Sequence, residues 1–595
     1  MKKIVFALIA PLAVLACGQK DNPSGGGGSD EPASGLAKPT NVVMTEATES
    51  TLSFSWDAVS GADSYGYKLT ASGQKTVTGT VTVTSVKVEG LKEATEYSFQ
   101  VLAMAGDKKS LYSNAVKAKT ASGTVDPGDD PGDNPGELTA ICVDQPLVFT
   151  LDETPVLGTQ GLIQVFDASG KLVDKIDMAD MATVTVRADG TMVPKEKMTA
   201  ETPFNTFMDA ILGTNGGYRV VHYTPIRVQG NTVEVKLHNS KLAFGGSYYV
   251  TVDESVFGLE ITKDDAQAFT VKEKPAGTTL SVRVDGTGDF CTLQGALSYA
   301  ATLSKDAAVT VNVGEGTYRE ILYLRNKNNV TIKGAGAEKS QLVYANTENL
   351  CSTTGSRVGA VPALGAAIGN PGGRSIFLVE GCDNLVLEGL SIVNDIASGD
   401  GQAECLYFNG DGKKLVIEGC SLISWQDTFE TKGLVYVHNS LIAGHVDFIW
   451  GNPSACLFED CEIRSRESGR YIVQARCKSG DKGFVFLNCS LTVESGVSNV
   501  NLARANDHAK EEEGKKTFDN VTYVNCTMTG VAVAGWHTSP APNPGTATAT
   551  DGWKEYGSKD ASGNALSLTG RASCARILTA AEAEPFSSKQ AVLGW

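Results

Sequence analysis

The chain has 595 residues, of which 42% are apolar and 20% charged, a size and balance that call for several globular domains rather than one. Its net charge of −17 argues against nucleic acid as a partner and disfavours a densely anionic substrate unless a local basic cleft overrides the global field. The 64 Gly favour turn-rich β structure over helices.

At the N-terminus, Lys2 and Lys3 precede an apolar run over 4–16, too short to span a bilayer. Val14-Leu15-Ala16-Cys17 resembles a bacterial lipobox, which implies a signal peptide over 1–16, cleavage before Cys17 and lipid on its sulfur. The Gly-rich segment 17–37 reads as a flexible tether. The expected location is outside the cytoplasm, lipid-anchored to the outer membrane or cell surface of a Gram-negative bacterium.

Residues 38–120 carry short alternating strands: Thr51-Leu-Ser-Phe-Ser-Trp56, Tyr65-Gly-Tyr-Lys-Leu69 and Thr95-Glu-Tyr-Ser-Phe-Gln-Val101. With Trp56, Tyr65, Leu91, Tyr97 and Tyr112-Ser113-Asn114 in these positions, the segment resembles fibronectin type III domains, which implies a β-sandwich that spaces or binds. The acidic Pro/Gly run in 121–137 is a linker. A second set of strands in 138–275, including Leu162-Ile-Gln-Val-Phe166 and Ser247-Tyr-Tyr-Val-Thr-Val252, reads as an Ig-like sandwich, again expected to act as a spacer.

From 278 to 595 one unit recurs: Leu385-Val-Leu-Glu-Gly-Leu, Leu415-Val-Ile-Glu-Gly-Cys, Leu434-Val-Tyr-Val-His-Asn, Cys456-Leu-Phe-Glu-Asp-Cys, Phe484-Val-Phe-Leu-Asn-Cys and Val521-Thr-Tyr-Val-Asn-Cys. Successive starts lie 30, 19, 22, 28 and 37 residues apart, so loops of different length leave a common coil. An apolar strand, a Gly/Asn/Asp turn and a second short strand per unit predict a right-handed parallel β-helix. The fold class is therefore all-β, with two sandwiches preceding the β-helix. One helix is expected at 293–303, as an N-terminal cap. Without Cys17, 12 Cys remain. Cys420, Cys461, Cys489 and Cys526 share one repeat slot and are expected to stack as buried thiols rather than pair as disulfides.

Two segments 20 residues apart, Trp425-Gln426-Asp427-Thr428 and Gly444-His445-Val446-Asp447-Phe448-Ile449-Trp450-Gly451, place one Asp each in consecutive coils. Side by side on one face, such a pair suits a nucleophile and a general acid/base. No Cys-x-x-Cys pair or His cluster suggests a metal.

These motifs, with Gly316-Thr-Tyr-Arg-Glu320, Gln402-Ala403, Gln474-Ala-Arg476, Gly535-Trp536 and Glu555-Tyr556 in order, resemble the pectin methylesterase family across the whole of 278–595. The resemblance implies hydrolysis of C6 methyl esters of galacturonate in pectin, with no cofactor. It assigns Asp447 as nucleophile, Asp427 as general acid/base, Gln402 and Gln426 as oxyanion donors and Arg504 as the group orienting Asp447. Asp427 must start protonated, which a like charge at Asp447 and burial against Trp425 and Phe448 would favour. Where the family has a sugar-stacking Trp, this sequence has Asn506, within Leu502-Ala-Arg-Ala-Asn506. Trp425, Phe448, Trp450, Arg476 and Trp536 are the candidate substrate-binding residues. The partners expected are methyl-esterified pectin and, through the lipid, a membrane; the chain is expected to be a monomer. The alternatives are a non-catalytic carbohydrate-binding protein, an esterase for another uronic ester, and a polysaccharide lyase or polygalacturonase, whose calcium or carboxylate clusters are not evident.

Overall fold

The repeat seen in the sequence is set by one backbone feature. Between the first and second strands of seven successive coils, a single residue adopts the left-handed conformation: Gly389, Gly419, Asn439, Asp460, Asn488, Asn525 and Gly557, with φ between 47° and 64°. Only Gly, Asn and Asp enter that region cheaply, which is why Glu-Gly-Cys, Glu-Asp-Cys and Val-Asn-Cys recur at the same slot.

In the computed structural model, the described residues are 36–595 except 48–49, 72–75, 93–94, 107, 121–139, 181, 184–204, 213–217, 224, 349–350, 352–353, 355–371, 506–517 and 539–545. The signal peptide, Cys17, the tether, the Pro/Gly linker and Asn506 thus lie outside the described residues. The described residues divide into two compact units, the first sandwich and everything from 140 onward.

In the first unit, strands Val43–Ala47, Leu52–Ser55 and Ser85–Val88 form one antiparallel sheet, and Ser64–Thr70, Val77–Val81, Glu96–Ala105, Lys108–Lys109 and Val116–Lys119 the other. Their inner faces bury Phe54, Trp56, Tyr65, Tyr97 and Phe99. In the second unit, residues 140–271 form a four-stranded and a three-stranded antiparallel sheet around a common core, plus a hairpin of Asn205–Leu212 and Tyr218–Tyr223.

The β-helix follows. Its first set of strands includes Leu385–Glu388, Lys414–Glu418 and Gly483–Leu487; its second includes Ser391–Asn394, Ser421–Ile423 and Leu441–Gly444, all paired in parallel. A third set, Leu322–Arg325, Phe377–Glu380, Leu406–Asn409, the starts of Phe429–His438 and Val446–Glu459, then Tyr471–Ala475 and Asn501–Ala503, bears the candidate site. Inside, equivalent residues stack: Ile332, Leu387, Ile417, Val437, Phe458, Phe486 and Tyr523 are in register, and the last three rings lie 4.7 and 4.5 Å apart. Cys420, Cys461, Cys489 and Cys526 are buried free thiols in one column, each donating to the carbonyl two residues before it. Helix Leu293–Thr302 closes the N-terminal end of the core. Among the described residues no helix is long and apolar enough to cross a membrane.

Candidate active site

Asp427 and Asp447 each lie two residues before a paired core position, Phe429 and Ile449, so the coil register places them as neighbours. Both have left-handed backbones, φ 65° and 47°. Phe448 and Ile449 are adjacent in sequence yet both sit in the core, so the in/out alternation breaks at Asp447, where the pairing to Tyr471–Ala475 also shifts. Gly451 permits the coils to close here: a Cβ on it would lie 2.2 Å from the Thr431 carbonyl oxygen. The Asp427 amide donates to the Val446 carbonyl at 3.0 Å, tying the two coils together.

Each carboxylate has its own arginine. Arg504 Nε donates to Asp447 Oδ1 at 2.8 Å and Oδ2 at 2.9 Å, and Arg504 Nη2 also donates to Oδ2. Gln474 Nε2 adds a bond to Oδ2 at 3.2 Å. Oδ1 is thus the less encumbered oxygen. Arg374 Nη2 donates to Asp427 Oδ2 at 2.9 Å. Asp427 Oδ1 has no hydrogen-bond partner among the described residues. Arg374 is held by Glu404, through Nε at 2.7 and 3.0 Å, and by Glu348, through Nη1 at 2.8 Å.

Burial drives Asp427 well above the ordinary carboxylate range; Glu404 adds to the rise and Arg374 opposes it. The expected like-charge effect of Asp447 is present but weaker than either. Burial also raises Asp447, and Arg504 opposes this through hydrogen bonds and charge. The pair is therefore poised unequally, with the proton favoured on Asp427.

Gln402 and Gln426 form an isolated parallel bridge through their backbones, and neither side-chain amide makes a hydrogen bond among the described residues. Amide donors at these positions, Gln426 next to Asp427 in the chain and Gln402 paired with Gln426 through the backbone, are of the type that can receive a developing oxyanion.

The candidate substrate-binding residues divide. Phe448 is fully buried, and Trp536 is 1% exposed and stacked on Trp553 at 5.2 Å, so both belong to the core and offer no face to a sugar. Their nearness in sequence to site motifs reflects core packing instead. Trp450 is largely buried, with the guanidinium carbons of Arg374 and Arg476 at 5.5 and 4.9 Å from its ring centre. Trp425 is half-buried, has Arg466 at 3.8 Å over its ring, and donates Nε1 to the Ile396 carbonyl. Arg476 is exposed and donates to Gln474 Oε1 at 3.0 and 2.5 Å. These three remain at the site.

Sequence reasoning missed Arg374, Glu404 and the role of Gln474. Glu404 carried a usable signal: it is a carboxylate just before the apolar strand Leu406–Asn409, and a charge placed there needs a buried partner. Arg374 carried none, being 53 residues from Asp427.

The second sandwich also reaches this region. Arg219, on hairpin strand Tyr218–Tyr223, is fully buried and donates to the carbonyls of Gly372 at 3.2 Å, Gly373 at 2.6 Å, Ser375 at 2.5 Å and Leu322 at 2.8 Å. The Gly372 amide donates to the Val220 carbonyl at 3.0 Å. Arg374 is thus carried on a segment that the sandwich holds. Asp144 accepts from the Cys291 and Thr292 amides and from Thr292 Oγ1, at the start of helix Leu293–Thr302. Cys142, Asp144 and Cys291 are close enough to suggest a cation site, but the Lys272 ammonium sits 3.4 Å from Cys142 Sγ and supplies the positive charge there. The spacer expected from the sequence is instead built into the catalytic unit.

The model of the pectinesterase family matches residues 279–594. The chain belongs to that family. A fibronectin type III model matches 37–119. Among curated relatives, the chain is similar to pectinesterase 31 of Arabidopsis thaliana, 32% identical over 221 residues that cover 36% of this chain and 66% of that one. It is also similar to pectinesterase A of Emericella nidulans, 26% identical over 44% of this chain and 74% of the other. Among solved structures, it resembles pectin methylesterase PemA from Erwinia chrysanthemi at 21% identity and a TM-score of 0.42, over 54% of this chain and 98% of that one.

Proposed function

We propose that this pectinesterase hydrolyses the C6 methyl esters of galacturonate units in pectin, with Asp447 as nucleophile and Asp427 as acid and then base. The supporting observation is the unequal pair: one carboxylate chelated by arginine, its neighbour buried and drawn towards the protonated state. Asp447 Oδ1 attacks the ester carbonyl carbon, and the oxyanion takes hydrogen bonds from the amides of Gln402 and Gln426. The carbon–methoxy bond breaks, methoxy oxygen takes the proton from Asp427 Oδ1, and methanol leaves an anhydride on Asp447. Water then attacks the anhydride carbonyl while Asp427 takes its proton, freeing Asp447 and the uronic acid. Arg476, exposed beside Trp450, is suited to a carboxylate on a neighbouring sugar.

The same reading places the enzyme outside the cytoplasm as a monomer, held through lipid on Cys17 to the outer membrane or cell surface. It rests on the basic-apolar start and the Val14-Leu15-Ala16-Cys17 segment. Cys17→Ser should release the protein from the membrane fraction.

The deciding measurement is methanol release from highly methylated pectin by the whole chain and by Asp447→Asn. Loss of at least about a thousandfold in kcat is expected, as for removal of a covalent nucleophile. Release undiminished in Asp447→Asn would remove this assignment. A folded wild-type chain that releases none would point to a different uronic ester or to binding alone.

A further inference from the structure

Asp427 presents a problem that its motif does not solve. An acid that must hold a proton is bonded at 2.9 Å to a guanidinium, and an arginine at such range commonly lowers a carboxyl by roughly one to three pH units. Arg374 is 6% exposed and stays charged. Burial of Asp427 is the largest influence against it, and the next is a negative charge close to the guanidinium.

That charge is within reach of Arg374 itself. Glu404 is fully buried and both of its oxygens contact Arg374 Nε. Glu348, the other partner, has a side chain 37% exposed, so solvent screens its charge. Glu430 precedes Thr431 on the adjoining coil and is buried, with Oε2 unpartnered. Burial raises its carboxyl well above the usual carboxylate range; burial raises Glu404 too, but there Arg374 opposes the rise through charge as well as direct hydrogen bonds. On the other side Asp447 is matched by Arg504, and Arg476 stands exposed by Gln474. Among the described residues facing Asp427, Glu404 alone is both wholly buried and in direct contact with the guanidinium.

We propose that Arg374 and Glu404 form a charge-balanced positioning pair: Arg374 fixes Asp427 Oδ2, and Glu404 cancels the guanidinium charge, so that Oδ1 keeps the proton methanol requires. Neither residue touches the ester; both act through Asp427. The proposal rests on the acid role given to Asp427 above. It accounts for three otherwise costly facts together: a buried arginine, a fully buried glutamate, and a catalytic acid in contact with a cation.

The test is the pH dependence of kcat/KM on methylated pectin, whose alkaline limb reports loss of the acid's proton. In Glu404→Gln the side chain keeps its shape and its acceptor for Arg374 but loses its charge. The Asp427 carboxyl then falls, and the alkaline limb should move to lower pH by roughly one unit or more, while the acid limb set by Asp447 stays in place. In Arg374→Met/Glu404→Met both charges go. Its alkaline limb should stay near the wild-type position, with kcat reduced about ten- to a hundredfold because Asp427 is no longer held. A thermal melt confirms that each variant is folded. A merely structural role lowers activity at every pH without moving the limb, and that result in Glu404→Gln overturns the proposal. If Glu404→Gln does not fold, an unchanged kcat in the double variant overturns it equally. Asp427→Asn separates the two levels. Its loss of turnover, with an unmoved limb in Glu404→Gln, removes the pair but leaves the acid; retained turnover removes the acid itself.

Discussion

The two sandwiches look alike in sequence and differ in what their polar groups do. In the fibronectin type III domain, the described side-chain hydrogen bonds close within the domain: the Tyr65 hydroxyl accepts from the Val59 amide, Tyr97 from the Lys92 amide, and Ser113 Oγ from the Val101 amide. In the second sandwich, buried Asp174 closes within the domain on the His238 amide and ring, but equally buried Arg219 holds the Gly372, Gly373 and Ser375 carbonyls, Asp144 holds the start of Leu293–Thr302, and Lys272 Nζ donates to the Gly286 and Gly288 carbonyls at 2.6 and 2.8 Å, all in the β-helix segment. A buried polar group must be paired, so where it finds its partner tells whether a domain can be removed. By that criterion the second sandwich is a part of the enzyme.

The largest effect should come from deletion. Starting the chain at 278 removes Arg219 from the Gly372, Gly373 and Ser375 carbonyls and exposes the Tyr323, Leu378 and Tyr407 cluster that packs with Val221. Such a chain should lose most of its methanol release and its cooperative melt. Removing 17–120 leaves every site residue in place and should keep kcat/KM within about twofold. Equal activity of both truncations would erase the distinction between the sandwiches.

A single residue sharpens the same comparison. Arg219→Met takes a charged donor from four buried carbonyls, of which Gly373 and Ser375 keep Asn346 Nδ2 at 3.2 Å, and should destabilise the 140–595 unit by about 3 kcal/mol. Arg219→Lys should recover little, because one ammonium cannot reproduce the fork that serves Gly372, Gly373, Ser375 and Leu322. A melt unchanged in either variant would show that the hairpin rests on the β-helix without bracing it.

Legibility followed the same divide. The β-helix was readable because its left-handed turn position favours Gly, Asn or Asp and so writes a mark into most coils, as at Gly419, Asp460 and Asn488. Asp427, Asp447, Gln426 and Arg504 were readable because short motifs carry them. Arg374 and Arg219 were not: their partners lie 53 and more than 100 residues away, and no local period encodes such a contact. Phe448 and Trp536 were misread as sugar-facing because an aromatic residue beside a motif looks the same in sequence whether it lines the cleft or fills the core. Burial decides, and burial is set by the coil register, which breaks at Asp447.

The smallest effect serves as the control. Tyr97 is 3% exposed and its hydroxyl accepts from the Lys92 amide at 2.9 Å, pinning a turn of the first sandwich. Tyr97→Phe removes that acceptor with little change in shape, at a cost of about 1 kcal/mol. Because the partner lies inside the same sandwich, the loss should appear only in that domain's own melting transition. Methanol release and the transition of the β-helix unit should be unaltered. Calorimetry of the whole chain reads both at once. A shift of the β-helix transition in Tyr97→Phe would mean that the first sandwich is energetically coupled to the enzyme after all, and the contrast with Arg219 would have to be sought in degree instead of kind.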